Sequence, residues 1–137
     1  MNSVSTLAPT STPLLWTARI LSTLVILFML FDATIHIMKP APVADAFARL
    51  GYPLSASVGI GIFELLCLLA YAIPRTALLG AVLLTGVLGG AVSTHVRAGS
   101  PAFEAYIFPA ILGAMIWGGI WLRDSRLRAI FPLRTGD

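Results

Sequence analysis

An all-α integral membrane protein, built as a four-helix bundle, is the fold this sequence predicts, and three observations predict it. Apolar residues make up 58% of the 137 and charged residues only 11%, against roughly 45–50% and 25% in soluble domains. Four apolar runs, near residues 14–38, 54–73, 77–97 and 103–122, each reach the ~20 residues that cross a bilayer core of ~30 Å. Between them stand short segments bearing Pro and Gly, the residues that end helices. The length leaves room for one domain, and the four runs occupy residues 13–123 of it.

The first run follows a Ser-, Thr- and Pro-rich stretch, residues 1–12, which reads as a disordered tail. Pro13 suits the first position of a helix, where its missing N–H is harmless. Ile20–Phe31 has the apolar character of a signal-peptide core. Arg19 is the first positive charge, however, and no basic segment closely precedes the run, which therefore reads as a retained membrane helix. Lys39-Pro40-Ala41-Pro42 ends it, because proline removes a donor and pushes its predecessor out of the α region. Val43, Ala46, Phe47 and Leu50 then fall at helical spacing and predict a short amphipathic helix in the first outer loop.

Gly51-Tyr52-Pro53 turns the chain into the second run, which carries one carboxylate, Glu64, in its middle. A charge at the centre of an apolar helix costs roughly 2.5–3.5 kcal/mol, so Glu64 is expected to face other helices and to hold a proton or a partner. Pro74-Arg75-Thr76 reverses the chain. In the third run Ala77, Ala81, Thr85, Gly89 and Ser93 recur at four-residue steps, and Gly86 with Gly90 adds a Gly-x-x-x-Gly pair. Small side chains let backbones approach where no hydrophobic force drives helices together in lipid, so this ridge predicts close helix packing. After a polar loop at Arg97–Pro101 the fourth run, Phe103–Leu122, carries Pro109, which predicts a kink near its start. Trp117 and Trp121 suit the lipid interface at its end. A basic tail, residues 124–137, closes the chain.

Four crossings put both termini on one side. That side collects Arg19, Arg75, Arg123, Arg126, Arg128 and Arg134, whereas the other holds Lys39, Arg49 and Arg97; the excess predicts cytoplasmic termini. The basic residues form no patch interleaved with aromatics, which argues against a nucleic-acid partner. The single cysteine, Cys67, permits neither an intramolecular disulfide nor a Cys-x-x-Cys pair, which excludes a self-contained thiol–disulfide oxidoreductase. It reads as a small apolar packing residue.

In that orientation the ionisable residues gather in the outer half of the membrane. Asp32 and His36 lie one turn apart on the first helix and Lys39 continues their face. Glu64 falls near the midplane, His95 and Arg97 close the third helix, and Glu104 opens the fourth. Asp32, His36, Glu64 and His95 are therefore expected to converge from three helices on one outward-facing cavity. Three chemistries use such a set: a proton relay through carboxylate and imidazole, hydrogen bonds to a quinone head group, or a metal held by His36, His95, Asp32 and Glu64. Haem between His36 and His95 is a geometric option with no other support. The plainer alternatives are an Asp32–His36 or Asp32–Lys39 pair at the interface, a hydrated His95 at a helix end, a Glu104 favoured by the helix dipole, and a protonated Glu64 bridging two helices.

Several stretches carry a family resemblance in their order and spacing. They are Lys39 at the end of the first helix, Leu50-Gly51-Tyr52-Pro53, Gly61-Ile62-Phe63-Glu64-Leu65, and Pro74 to Ala81. Gly89-Gly90-Ala91, Thr94-His95-Val96-Arg97, Trp121-Leu122-Arg123-Asp124 and Phe131-Pro132-Leu133 complete the set. The chain resembles the DoxX-like membrane proteins, small bacterial four-helix proteins related to the small subunit of a thiosulfate:quinone oxidoreductase. The resemblance covers Arg19 to Arg134 and implies a multi-pass protein of the bacterial inner membrane, linked to quinone-dependent or thiol redox systems. It also implies Glu64, His95, Arg97 and Lys39 as site positions. The expected function is binding of a small lipophilic ligand such as quinone, or service as the membrane subunit of a redox system with a partner protein. A non-enzymatic scaffold that self-associates through the third-helix ridge, and a permeation path for protons or small molecules, are the alternatives.

Overall fold

The computed structural model describes residues 11–131. The predicted tail through Thr10 and the end of the basic segment, with Arg134, lie outside the described residues. The chain forms α1 (Thr12–Met38), α2 (Ala41–Leu50), α3 (Ala56–Ala72), α4 (Ala77–Arg97), a π-helical turn (Phe103–Ile107), α5 (Phe108–Arg123) and α6 (Ser125–Ile130). No strand occurs among the described residues. The helix ends follow their local chemistry. Lys39 caps α1 in the left-handed region (φ 51°), its N–H bonding the Ile35 carbonyl, just before Pro40 blocks continuation. Gly51 (φ 73°) closes α2 in the conformation glycine adopts without steric cost.

Three helical stretches are long and apolar enough to cross a membrane: α1, α4, and the π turn together with α5. The helix bearing Glu64, α3, has 17 residues, a rise of about 26 Å at 1.5 Å per residue. α1 packs on α3 and α5, and α4 packs on α3 and α5. The four therefore close a ring with α1 and α4 across its diagonal. Large apolar side chains such as Leu27, Phe31, Leu66 and Leu79 point outward, while α1 turns Ala18, Ser22, Val25, Met29 and Ala33 inward. Exposing bulk and burying small residues suits a hydrocarbon surround, where close backbone approach drives association.

One end of the bundle is locked by hydrogen bonds and glycines. Tyr71 of α3 is fully buried; its hydroxyl donates to the Ile116 carbonyl of α5 at 3.1 Å and lies 3.2 Å from Ser22 Oγ of α1. A Cβ at Gly119 would run into Ser22 Oγ, and one at Gly80 would collide with the Tyr71 main chain. Four helices thus meet at one residue, α1 and α5 at its phenol and α4 at its main chain. Thr76 Oγ1 donates to the Ala70 carbonyl at 2.8 Å and tightens the α3–α4 turn.

The structure corrects one local expectation, the packing of the third-helix ridge, and gives form to two others. Before Pro109 the chain forms a π turn, in which the Phe108 N–H bonds the Phe103 carbonyl. Proline has no N–H to donate and its ring presses on the carbonyl four residues back; widening the preceding turn accommodates both. In the third-helix ridge only Ala77 and Ala81 are buried, and added Cβ atoms at Gly86, Gly89 and Gly90 meet nothing within 4 Å. The close approach of α4 is made by Gly80, which lies off that ridge. The first part of the basic tail is α6, capped by Asp124, whose Oδ1 accepts from the Arg126 N–H at 2.9 Å. Arg128 donates to the Leu122 carbonyl at 2.6 Å, satisfying the C-terminus of α5.

Candidate functional site

The site is assembled where α1 touches α3. On α3, Ser57, Gly61 and Glu64 form one buried stripe at steps of four and three. Gly61 is the point of closest approach: a Cβ there would lie 2.7 Å from the Ala33 carbonyl oxygen and 3.0 Å from the His36 Cβ. Ser57 Oγ donates to the His36 carbonyl at 2.7 Å, satisfying one of the free acceptors at the end of α1. With the two helices held this close, the Glu64 carboxylate is carried against Asp32 and His36.

The resulting group is rich in acceptors. His36 Nδ1 lies 3.0 Å from the Asp32 main-chain oxygen, 3.5 Å from Asp32 Oδ2 and 3.3 Å from Glu64 Oε2. That nitrogen carries at most one hydrogen and can serve only one of the three oxygens. Glu64 is 4% exposed, and its Oε2 has no hydrogen-bond partner among the described residues. His36 is the sole ion-pairing neighbour of either carboxylate among those residues. A buried carboxylate oxygen without a partner costs about 1–3 kcal/mol or more.

This group opens onto a cavity of about 1300 Å³. Phe28 and Phe108, in edge contact at 5.1 Å between centroids, stand on one side. Ile60, Phe63, Leu83 and Val87 supply further apolar wall, and α2 contributes Val43 and Phe47. The cavity exists because α3 and α4 part as they leave their turn. Ala70, Phe63 and Gly59 share a flank of α3, spaced by seven and four. At Ala70 that flank meets α4 at Gly80, whereas Phe63 is 53% exposed and Gly59 meets nothing within 4 Å. Across the gap Gly86 and Gly90 line the same space. The small residues of α4 here leave volume instead of closing it.

The sequence profile of the DoxX-like family matches residues 20–119, a span that holds the three-residue group and every wall of the cavity. The chain belongs to the DoxX-like family. No curated protein and no solved structure gives a significant match.

In this DoxX-like protein the candidate residues sort by position. Asp32, His36 and Glu64 come within 4.8 Å of one another through one donor atom each. His95 lines the same cavity but stands apart from them, its Nδ1 3.0 Å from Ser100 Oγ and 3.7 Å from Glu104 Oε2. The expected four-residue metal set, and haem between His36 and His95, therefore give way to a group of three. The reason is that His95 sits beyond the point where α4 has diverged from α3 and turns to the π segment. Lys39 is exposed at the cap of α1 and is not a wall of the cavity. Arg97 donates to the Leu50 carbonyl at 2.8 Å and lies over the Tyr52 ring at 5.5 Å. It pins the α2–α3 loop and points no charge at the cavity. Trp117 donates to Thr85 Oγ1 and Trp121 to the Phe131 carbonyl, so both indoles find partners in the protein. Arg49, Tyr52 and Thr94 line the cavity and escaped sequence reasoning. So did Ser57 and Gly61, whose spacing before Glu64 is a usable signal: small residues at four- and three-residue steps from a buried carboxylate.

Proposed function

We propose that this DoxX-like protein binds a small lipophilic ligand with a polar head, of the quinone class, in the cavity beside Glu64. The observation that carries the proposal is a buried carboxylate, Glu64, 4% exposed, in the wall of an otherwise apolar space of about 1300 Å³. Ligand sites combine such walls with a few polar groups that fix orientation, typically in ~300–1,000 Å³; the larger volume leaves room for part of a hydrocarbon tail. A quinone carbonyl accepts hydrogen bonds, which His36 and a protonated Glu64 would supply, and a quinol donates them, which the carboxylate oxygens would accept. The gap between α3 and α4 at Gly59, Gly86 and Gly90 would let the tail reach the lipid. As the membrane subunit of a redox system, the protein would present the ligand to a partner that supplies or removes electrons.

The same proposal takes α3 as a fourth crossing, short by about a turn, with both termini in the cytoplasm and the bundle in a bacterial inner membrane. The Arg asymmetry of the loops supports that orientation. Titration of the detergent-purified protein with a short-chain quinone, followed by tryptophan fluorescence, tests the binding. Saturable binding weakened at least tenfold by Glu64→Gln is the expected result. Equal affinity in the variant removes Glu64 from the site, and absence of saturable binding removes the proposal.

A second reading is self-association as a membrane scaffold, supported by the open, exposed face at Gly89 and Ser93. Cross-linking in membranes that gives dimers in the wild type and none in Gly89→Leu would favour it; monomer in both would end it. Permeation through the polar half would require proton flux in liposomes that Glu64→Gln and His95→Ala reduce.

A further inference from the structure

We propose that Asp32, His36 and Glu64 form a binding site for a borderline divalent cation of the Zn²⁺ and Mn²⁺ class. The three side chains define this site by themselves, independently of any quinone-class ligand. Ligand atoms at ~2.1 Å from a tetrahedral ion lie roughly 3.4 Å apart. His36 Nδ1 lies 3.3 Å from Glu64 Oε2 and 3.5 Å from Asp32 Oδ2, and one donor atom from each of the three lies within 4.8 Å of the others. Two of the three separations thus already match one ion, and the third needs at most a small movement of a carboxylate.

Charge and hydrogen bonding point the same way. Two ionised carboxylates offset a divalent ion, and an imidazole binds it in its neutral form, so the loaded group carries no net charge into the apolar half of the bundle. Without a cation the group has an excess of acceptors. Glu64 Oε2 is left without a hydrogen-bond partner, and Nδ1 is drawn instead to the Asp32 main-chain oxygen at 3.0 Å. Ligation would release Nδ1 from that oxygen at little cost, because the carbonyl of a mid-helix residue keeps its own i+4 N–H. The set is held from outside by the Ser57 bond to the His36 carbonyl and by the contact at Gly61, the kind of support that orients metal ligands. One nitrogen and two carboxylate oxygens suit Zn²⁺, Mn²⁺ or Fe²⁺ better than a soft ion such as Cu⁺. Three protein ligands leave a position open towards the cavity, where water or an oxygen donor of a bound ligand completes the shell.

The test uses the full chain in detergent, stripped with a chelator, and Mn²⁺ alone as the probe. Electron paramagnetic resonance should show one Mn²⁺ bound per chain and, in pulsed experiments on the wild type, coupling to a single imidazole nitrogen. Glu64→Gln and Asp32→Asn should each weaken binding at least tenfold, and Zn²⁺ should displace the Mn²⁺. Glu104→Gln, in the other His–carboxylate pair of the cavity, should leave affinity unchanged. Absence of stoichiometric binding, absence of nitrogen coupling in the wild type, or loss of binding in Glu104→Gln with retention in Glu64→Gln would each overturn the site. The wild-type coupling decides the matter even if a variant fails to fold. Quinone titration of the chelator-stripped protein is a separate readout, so failure of either proposal is recognised independently of the other.

Discussion

Glu64 holds a position that is poor for stability, and its replacement should show it. Its Oε2 is buried without a hydrogen-bond partner and faces a second carboxylate across one imidazole. Glu64→Gln removes a charge and adds two N–H donors to a group short of them. In chelator-stripped protein this change should raise stability by about 1 kcal/mol, read as a higher melting temperature in detergent, while ligand binding falls. A lower melting temperature would mean that the carboxylate is better satisfied than its surroundings indicate. Tyr71 is the opposite case, a buried polar group with every partner in place. Tyr71→Phe should cost about 1 kcal/mol, within the range of polar contacts inside membrane bundles, and should leave ligand affinity unaltered because the phenol lies at the closed end. Denaturation in mixed micelles checks the cost. At this scale the sequence was half informative. A lone carboxylate in an apolar run announces itself, and the one-turn step from Asp32 to His36 follows from helix geometry. The separation of His95 from that group does not, since it depends on how far α3 and α4 part.

At the level of elements, glycines decide where helices touch and where they leave space. Gly80 and Gly61 are contact points; Gly90 borders the cavity. Gly80→Ala should cost about 3 kcal/mol, the upper end for overpacking, because the obstacle is the Tyr71 main chain and cannot move aside. Gly61→Ala should cost less, yet reduce affinity for both ligand and Mn²⁺ by pushing α1 away from Glu64. Gly90→Leu should keep the fold, since nothing lies within 4 Å of its Cβ, and should lower ligand affinity at least tenfold by filling the cavity. Thermal melts and quinone titrations on the three variants distinguish these outcomes. The expected runs lay within two residues of the observed helices, because apolar length and Pro/Gly punctuation are local properties. The roles of individual glycines were not legible: a Gly-x-x-x-Gly pair looks the same whether a neighbour approaches it or stays away. Pro109 likewise signals an interrupted ladder but not that the chain answers with a π turn.

For the whole molecule, α1, α3, α4 and α5 form a ring that is tied at the Tyr71 end, while α3 and α4 part at the level of Glu64. Membrane association was legible from composition alone, because a chain with so few charges cannot cover a soluble surface. The cavity was not, because it is the space left by two helices that diverge. If the chain crosses the membrane four times with Arg-rich segments inside, cysteines introduced at Arg126 and Arg75 should react with an impermeant reagent only after cells are opened. A cysteine at Gly99 should react in intact cells. Labelling of Arg126→Cys in intact cells would reverse the orientation and move the Glu64 group to the cytoplasmic half. The proposed function requires that a lipophilic ligand enter the space beside Glu64. A photoreactive short-chain quinone, cross-linked to the protein in native membranes and mapped by mass spectrometry, tests it most directly. Label is expected on the cavity walls, at Gly59–Phe63 of α3 and Val82–Thr94 of α4, and should be competed away by excess unlabelled quinone. Label confined to the outer apolar surface, or undiminished by competitor, would contradict it.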